Sequence, residues 1–179
     1  MRDAGAAGAE CAVDDDCRLF SDCCSCAGVP KTAGVSTCPA LCKQSKCEEL
    51  GLAGGKASCV AGRCVAGFEC DGTKVTCDMG PPKCQGGQVP LVSGGCYQGS
   101  CVPAVECASV SNCAVCAGRT TCAVFVQRSG SLRHCVDVPP ACGGDSTCTC
   151  TGKSVCTGIF SRCTNFSGVR GFVCGCPTC

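Results

Sequence analysis

Apolar positions in this chain alternate with polar ones over short runs and rarely repeat at helical spacing. Period-two alternation bounded by Gly, Ser or Asn marks strands joined by tight turns. The clearest case is the pair of runs 121–127 and 132–138, which flank Ser129-Gly130. Runs 146–151 and 153–157 flank Thr151-Gly152, and runs 161–165 and 169–176 flank Ser167-Gly168. Three hairpins in succession predict a β-meander. Further up the chain, 69–77 reads as a hairpin on Asp71-Gly72. Two segments read as tight hairpins bracketed by cysteines: Cys59-Val60-Ala61-Gly62-Arg63-Cys64-Val65 and Cys96-Tyr97-Gln98-Gly99-Ser100-Cys101-Val102. In each, the glycine supplies the positive φ of a short turn. Pro81-Pro82 and Gly86-Gly87 mark loops, and 88–91 leads into the second bracketed segment. One helix is predicted, at 39–50, with Thr37 as cap, Pro39 in the first turn and Gly51 or Gly54 as the stop. Cys42 and Cys47 fall on different sides of that helix.

Composition changes the picture from a thin β protein to a stapled one. Cysteine supplies 28 of 179 residues, about 16 %, above the roughly 8–10 % that marks a disulfide scaffold. Leu, Ile, Val and Phe together number 32, about 18 % and thin for an ordinary core. The fold class that follows is a small disulfide-rich protein, β-hairpin-rich, with one short helix in its N-terminal lobe at about 39–50. An even cysteine count predicts that all 28 are bridged. Thiols at this density persist as disulfides outside the cytosol.

The cysteines also suggest boundaries. Residues 1–10 read as a flexible Ala/Gly tether. An N-terminal lobe, 11–66, holds Cys11, Cys17, Cys23, Cys24, Cys26, Cys38, Cys42, Cys47, Cys59 and Cys64, and the 59–64 hairpin closes it. A C-terminal lobe, 67–179, contains two sub-units. The first, 70–107, holds Cys70, Cys77, Cys84, Cys96, Cys101 and Cys107. The second, 108–179, holds Cys113, Cys116, Cys122, Cys135, Cys142, Cys148, Cys150, Cys156, Cys163, Cys174, Cys176 and Cys179. Each count is even, so no bridge is expected to join the two lobes.

Charge and motif chemistry exclude several functions. The net charge is +1 with no Lys/Arg run, and the seven aromatic residues are scattered, so nucleic acid is not an expected partner. No apolar run approaches the roughly 18 residues of a membrane span. No apolar stretch of about 7–15 residues lies near the start, so an export signal is expected outside this sequence. Asp14-Asp15-Asp16 reads as a solvated turn or cap rather than half of a calcium loop, because no regular ligand spacing follows. Cys113/Cys116, Cys148/Cys150 and Cys174/Cys176/Cys179 have spacings that zinc could use, but an oxidising compartment and a single histidine favour disulfides. Thiol exchange at Cys113–Cys116 would need a helix N-terminus that the pattern does not predict. His134, the only histidine, sits in a predicted strand without a glycine-framed nucleophile motif. Glu48 and Glu49 are adjacent on the predicted helix and face apart. No metal, cofactor or catalytic activity is therefore expected. One sharper idea is protease inhibition by a rigid disulfide-framed loop. Lys31, Arg63 and Arg119 are the basic residues such a loop would offer, with Lys31 first because its loop is the longest polar one in the N-terminal lobe.

Asp16-Cys17 followed by Asp22-Cys23-Cys24-Ser25-Cys26, the 59–65 hairpin, and 90–107 (PLVSGGCYQGSCVPAVEC) resemble cysteine-rich domains of cell-surface lipoproteins in myxobacterium-type bacteria. The resemblance implies an outer-surface location, with 2–10 as the tether that follows a lipidated cysteine further upstream. It implies no activity. The expected function is a non-enzymatic extracellular binding or structural module whose partner is another extracellular protein or cell-surface component. The alternative is a serine-protease inhibitor.

Overall fold

The computed structural model describes residues 9–128, 130–167 and 170–177, which divide into two units, 9–67 and 68–177. Residues 1–8 of the expected tether and Cys179 lie outside the described residues. Among the described residues, no helix is long and apolar enough to cross a membrane. Thirteen disulfides pair described cysteines, each inside one unit. Cys176 is disulfide-bonded as well. The fold is small and disulfide-rich, with mostly strands in small sheets and two short helices.

In the first unit, β1 (Cys17–Ser21) pairs antiparallel with β2 (Cys26–Pro30). The turn between them is organised by Asp22. Its carboxylate accepts from the N–H groups of Cys24 and Ser25, both at 2.8 Å, and of Cys38 at 2.7 Å. Donation by Cys38 and Cys24 holds this carboxyl below the usual carboxylate range. The helix is present but is shorter than 39–50: α1 runs Lys46–Glu49. Ser45 is its cap, with Glu48 returning a 2.9 Å bond to the Ser45 N–H. Residues 38–45 are irregular, and Leu41 is fully exposed. With no apolar stripe to pack, that stretch has nothing to offset the cost of helix nucleation. Cys24–Cys38 and Cys23–Cys42 hold it instead, while Cys26–Cys47 staples α1 to β2.

β3 (Ser58–Val60) and β4 (Arg63–Val65) form the predicted hairpin. Cys59 and Cys64 face each other across it, yet neither bonds the other: Cys59 bridges Cys11 and Cys64 bridges Cys17. Ala61 and Gly62 both have positive φ, 53° and 74°, the signature of a type I′ turn. Glu10, at the end of the expected tether, is tied to this hairpin. Its N–H donates to Gly62 O at 2.6 Å, and its carboxylate accepts from Cys64 N–H at 3.1 Å. The buried side chains described in this unit are Cys11, Cys17, Cys26, Cys47 and Cys64 with Val29, Ala57, Val65 and Ala66, so much of its interior is sulfur. A Cβ on Gly28 of β2 would overlap the main chain of Val65, so only glycine lets the two hairpins approach this closely.

The second unit begins with β5 (Phe68–Cys70), which pairs in parallel with β8 (Cys107–Val110). The hairpin predicted at 69–77 does not form. Asp71 caps a 3-10 turn at Gly72–Lys74, accepting from Thr73 N–H at 3.0 Å and Thr73 Oγ1 at 2.7 Å. The two flanking cysteines also leave in different directions, Cys70 to Cys107 and Cys77 to Cys96. The bracketed segment 96–101 is likewise not a hairpin. It lies within one strand, β7 (Cys96–Pro103), paired with β6 (Gln88–Ser93). The turn is Gly94-Gly95, both at positive φ, which makes the better type I′ pair. Cys84–Cys101 closes the preceding loop onto β7.

The largest sheet contains β9 (Thr120–Gln127), β10 (Gly130–Asp137), β11 (Arg162–Asn165) and β12 (Gly171–Gly175), in the order β10-β9-β12-β11. The β9–β10 and β11–β12 hairpins match the sequence expectation, although Ser129 and Gly168 of their turns lie outside the described residues. The meander does not form, because β12 pairs in parallel with β9. Between them, 146–157 is not a hairpin. The Asp145 carboxylate accepts from the Thr147 N–H and both Thr147 and Thr149 hydroxyls, and Thr151 Oγ1 donates to Asp145 O. Thr151–Val155 then forms α2. The alternating threonines that suggested a strand bond locally instead. Cys113–Cys122, Cys116–Cys135, Cys142–Cys150, Cys148–Cys163 and Cys156–Cys174 lace this half together. The core here is more conventional, with Phe68, Phe172 and Val102 fully buried.

Candidate functional site

The three basic residues singled out by the sequence stand in different settings. Lys31 follows β2 directly. Its N–H donates to Asp16 O at 2.8 Å, and its Nζ is 3.9 Å from the Asp15 carboxylate. Val29, two residues before it, is buried and paired with Arg18. An inhibitory loop must offer free main-chain groups and accessible flanking side chains to an enzyme cleft; here Lys31 and Thr32 are exposed, while the Lys31 N–H is taken by Asp16 O and Val29 is held in the sheet. Arg63 is half-buried in β4, opposite Val60. Arg119 is exposed on a turn in which Gly118 has φ 69° and Thr120 N–H donates to Ala117 O.

His134 lies in β10 opposite Ala123 and is buried. Its ring meets Phe125 edge-on, with centroids 5.5 Å apart, and its Nδ1 has no hydrogen-bond partner. Burial lowers its pKa from 6.5 to about 4. Such an imidazole is neutral at physiological pH. Thr121 Oγ1, on the same face of the β9–β10 pair, is also buried without a partner.

Two of the three zinc-like cysteine spacings do not bring ligands together, and the third includes Cys179, outside the described residues. Cys113 and Cys116 diverge to Cys122 and Cys135, and Cys148 and Cys150 diverge to Cys163 and Cys142. The sulfurs of Cys11, Cys17 and Cys64 lie within 4.8 Å of one another, but they belong to two neighbouring disulfides and present no thiolate to a metal. Of the Asp14–Asp16 run, Asp14 accepts from Cys59 N–H at 2.7 Å, and Asp16 accepts from the N–H groups of Ala12 and Val13. Glu48 caps α1, and Glu49 pairs with Lys46 at 2.8 Å.

What the sequence did not single out is a hollow of about 280 Å³ at one end of the four-stranded sheet. Gly118, Arg119, Val138, Pro139, Pro140, Gly143, Gly144 and Arg170 line it. Arg170 lies 51 positions beyond Arg119, and only the parallel pairing of β9 with β12, which no local pattern specifies, brings them together.

No protein-family model, no curated protein and no solved structure matches the chain.

Proposed function

We propose that the protein is a non-enzymatic, exported binding or structural module, displayed at a cell surface through a segment N-terminal to Cys11. The observation that carries this reading is that every described cysteine is in a disulfide, a state that fits an oxidising compartment. The resemblance to myxobacterium-type surface lipoproteins supports the same location. The non-enzymatic part is supported by His134, whose imidazole serves as core packing. A partner among extracellular proteins or cell-surface components suits a scaffold of short loops clamped at their ends.

Surface labelling of intact producing cells, followed by intact mass with and without alkylation, tests the reading. It predicts labelled protein with no alkylatable thiol. Cytosolic protein carrying free thiols would contradict it. Inhibition of trypsin-like proteases has weaker support, since the Lys31 N–H is already taken by Asp16 O.

A further inference from the structure

The hollow beside Arg119 is assembled by strand register. Thr120 pairs with Asp137 across β9 and β10, so 138–140 runs alongside Arg119, locked by Val138 N–H donating to Arg119 O at 2.9 Å. Gly171 pairs with Cys122 across the parallel strands, so Arg170 enters at the same end. Arg170 Nη1 donates to Gly118 O at 2.9 Å. That bond uses one of five guanidinium donors and orients the rest. The Arg119 guanidinium is exposed, with no hydrogen bond or ion pair among the described residues.

Two cations therefore share one hollow, and none of its described lining residues is acidic. Val138, which is buried, and Pro139 and Pro140 give it apolar surface. Such walls offer contact to the apolar part of a ligand whose charge meets the arginines. The volume is slightly below the roughly 300–1,000 Å³ of pockets for larger ligands, which selects a small group. A guanidinium fork matches a planar carboxylate in bidentate fashion.

We propose that this hollow binds a carboxylate carried on a small apolar body, with Arg119 and Arg170 clamping the oxygens and Val138, Pro139 and Pro140 taking the apolar part. Such a group occurs both in a free carboxylic acid and at the C-terminus of a peptide ending in an apolar residue. The proposal rests on the reading of the protein as a binding module. The two fail separately, because a module that engages its partner through another face leaves this hollow silent.

The test is titration of the oxidised, isotope-labelled protein with N-acetyl-leucine, its amide, acetyl-Ala-Ala-Ala-Leu and inorganic phosphate, followed by NMR. The expected result is saturable shifts at Arg119, Arg170 and Gly118 with the acid, and none with the amide. Equal or tighter binding of the tetrapeptide assigns the source as a chain terminus, whereas weaker binding assigns it as a free acid. Arg119→Gln and Arg170→Gln should each weaken binding on the order of tenfold to a hundredfold. Both side chains are exposed, and an unchanged spectrum elsewhere shows that the variants fold. Arg119→Lys should recover only part of the loss, because it restores the charge without the fork. The proposal is overturned if neither acid binds saturably, if the amide binds equally, if phosphate binds tighter than the acids, or if the substitutions leave the affinity unchanged.

Discussion

The imidazole of His134 sits against the edge of Phe125 with Nδ1 unpartnered, so folding disfavours its charged form. In the unfolded chain it takes up a proton near pH 6.5, whereas in the folded chain it does so only near pH 4. Because the folded pKa is the lower one, this group's contribution is full above pH 6.5 and is lost as pH falls towards 4. The whole loss is roughly 3 kcal/mol. Asp16, Asp22 and Asp145 also have lowered pKa values, caused mainly by backbone N–H donors for the first two and by the Thr147 hydroxyl for Asp145. Their contributions are present above their ordinary value of 3.8 and fade only below it. Guanidinium unfolding of the oxidised protein at pH 7, 5.5 and 4.5 should show falling stability, and His134→Leu should flatten that fall. Equal slopes in the two proteins would show that the imidazole is not the cause.

At the scale of elements, the β3–β4 hairpin turns on a non-glycine residue in the left-handed region, Ala61 at φ 53°. An L-residue with a Cβ pays roughly 1–2 kcal/mol there, and asparagine pays less because its short side chain bonds locally. Ala61→Asn should therefore raise the unfolding free energy by about 0.5–1 kcal/mol, read from the denaturant midpoint. A lower midpoint would mean that the Ala61 methyl group makes contacts worth more than the strain. The same turn shows what was legible beforehand. Where a hairpin closes on adjacent strands with a turn between them, as at 58–65 and 120–137, pattern and glycine placement suffice. At 96–101 the turn expected on Gly99 forms instead on Gly94-Gly95, because both positions of a type I′ turn want positive φ. At 146–157 hydroxyl bonds to Asp145 replaced a ladder that period-two threonines had suggested. The helix start expected at Thr37-Cys38-Pro39 lies instead at Ser45, whose capping partner Glu48 stands three residues on. The arginine-lined hollow was not readable, since strand pairing at a distance carries no local mark.

Across the whole molecule, the units differ in what holds them. In 9–67, bridges close loops of 48, 47, 21, 19 and 14 positions around an interior made largely of their own sulfurs. Closing a loop of about 48 residues is worth roughly 4 kcal/mol in the chain-entropy model, and one of about 20 roughly 3. Cutting these bridges also removes the cluster of Cys11, Cys17, Cys59 and Cys64 around Ala57, so core and staple go together. In 68–177, Phe68, Val102 and Phe172 give a core that survives as chemistry when the sulfurs are reduced. The 9–67 unit lies below the roughly 70–80 residues under which a core alone seldom suffices. Hydrogen exchange during stepwise reduction and alkylation in native buffer measures the dependence unit by unit. Disulfide control of the fold predicts that 9–67 loses protection first and that full reduction abolishes dispersed amide signals and the cooperative melt in both units. A fully alkylated chain that kept its native spectrum and melted cooperatively would contradict it.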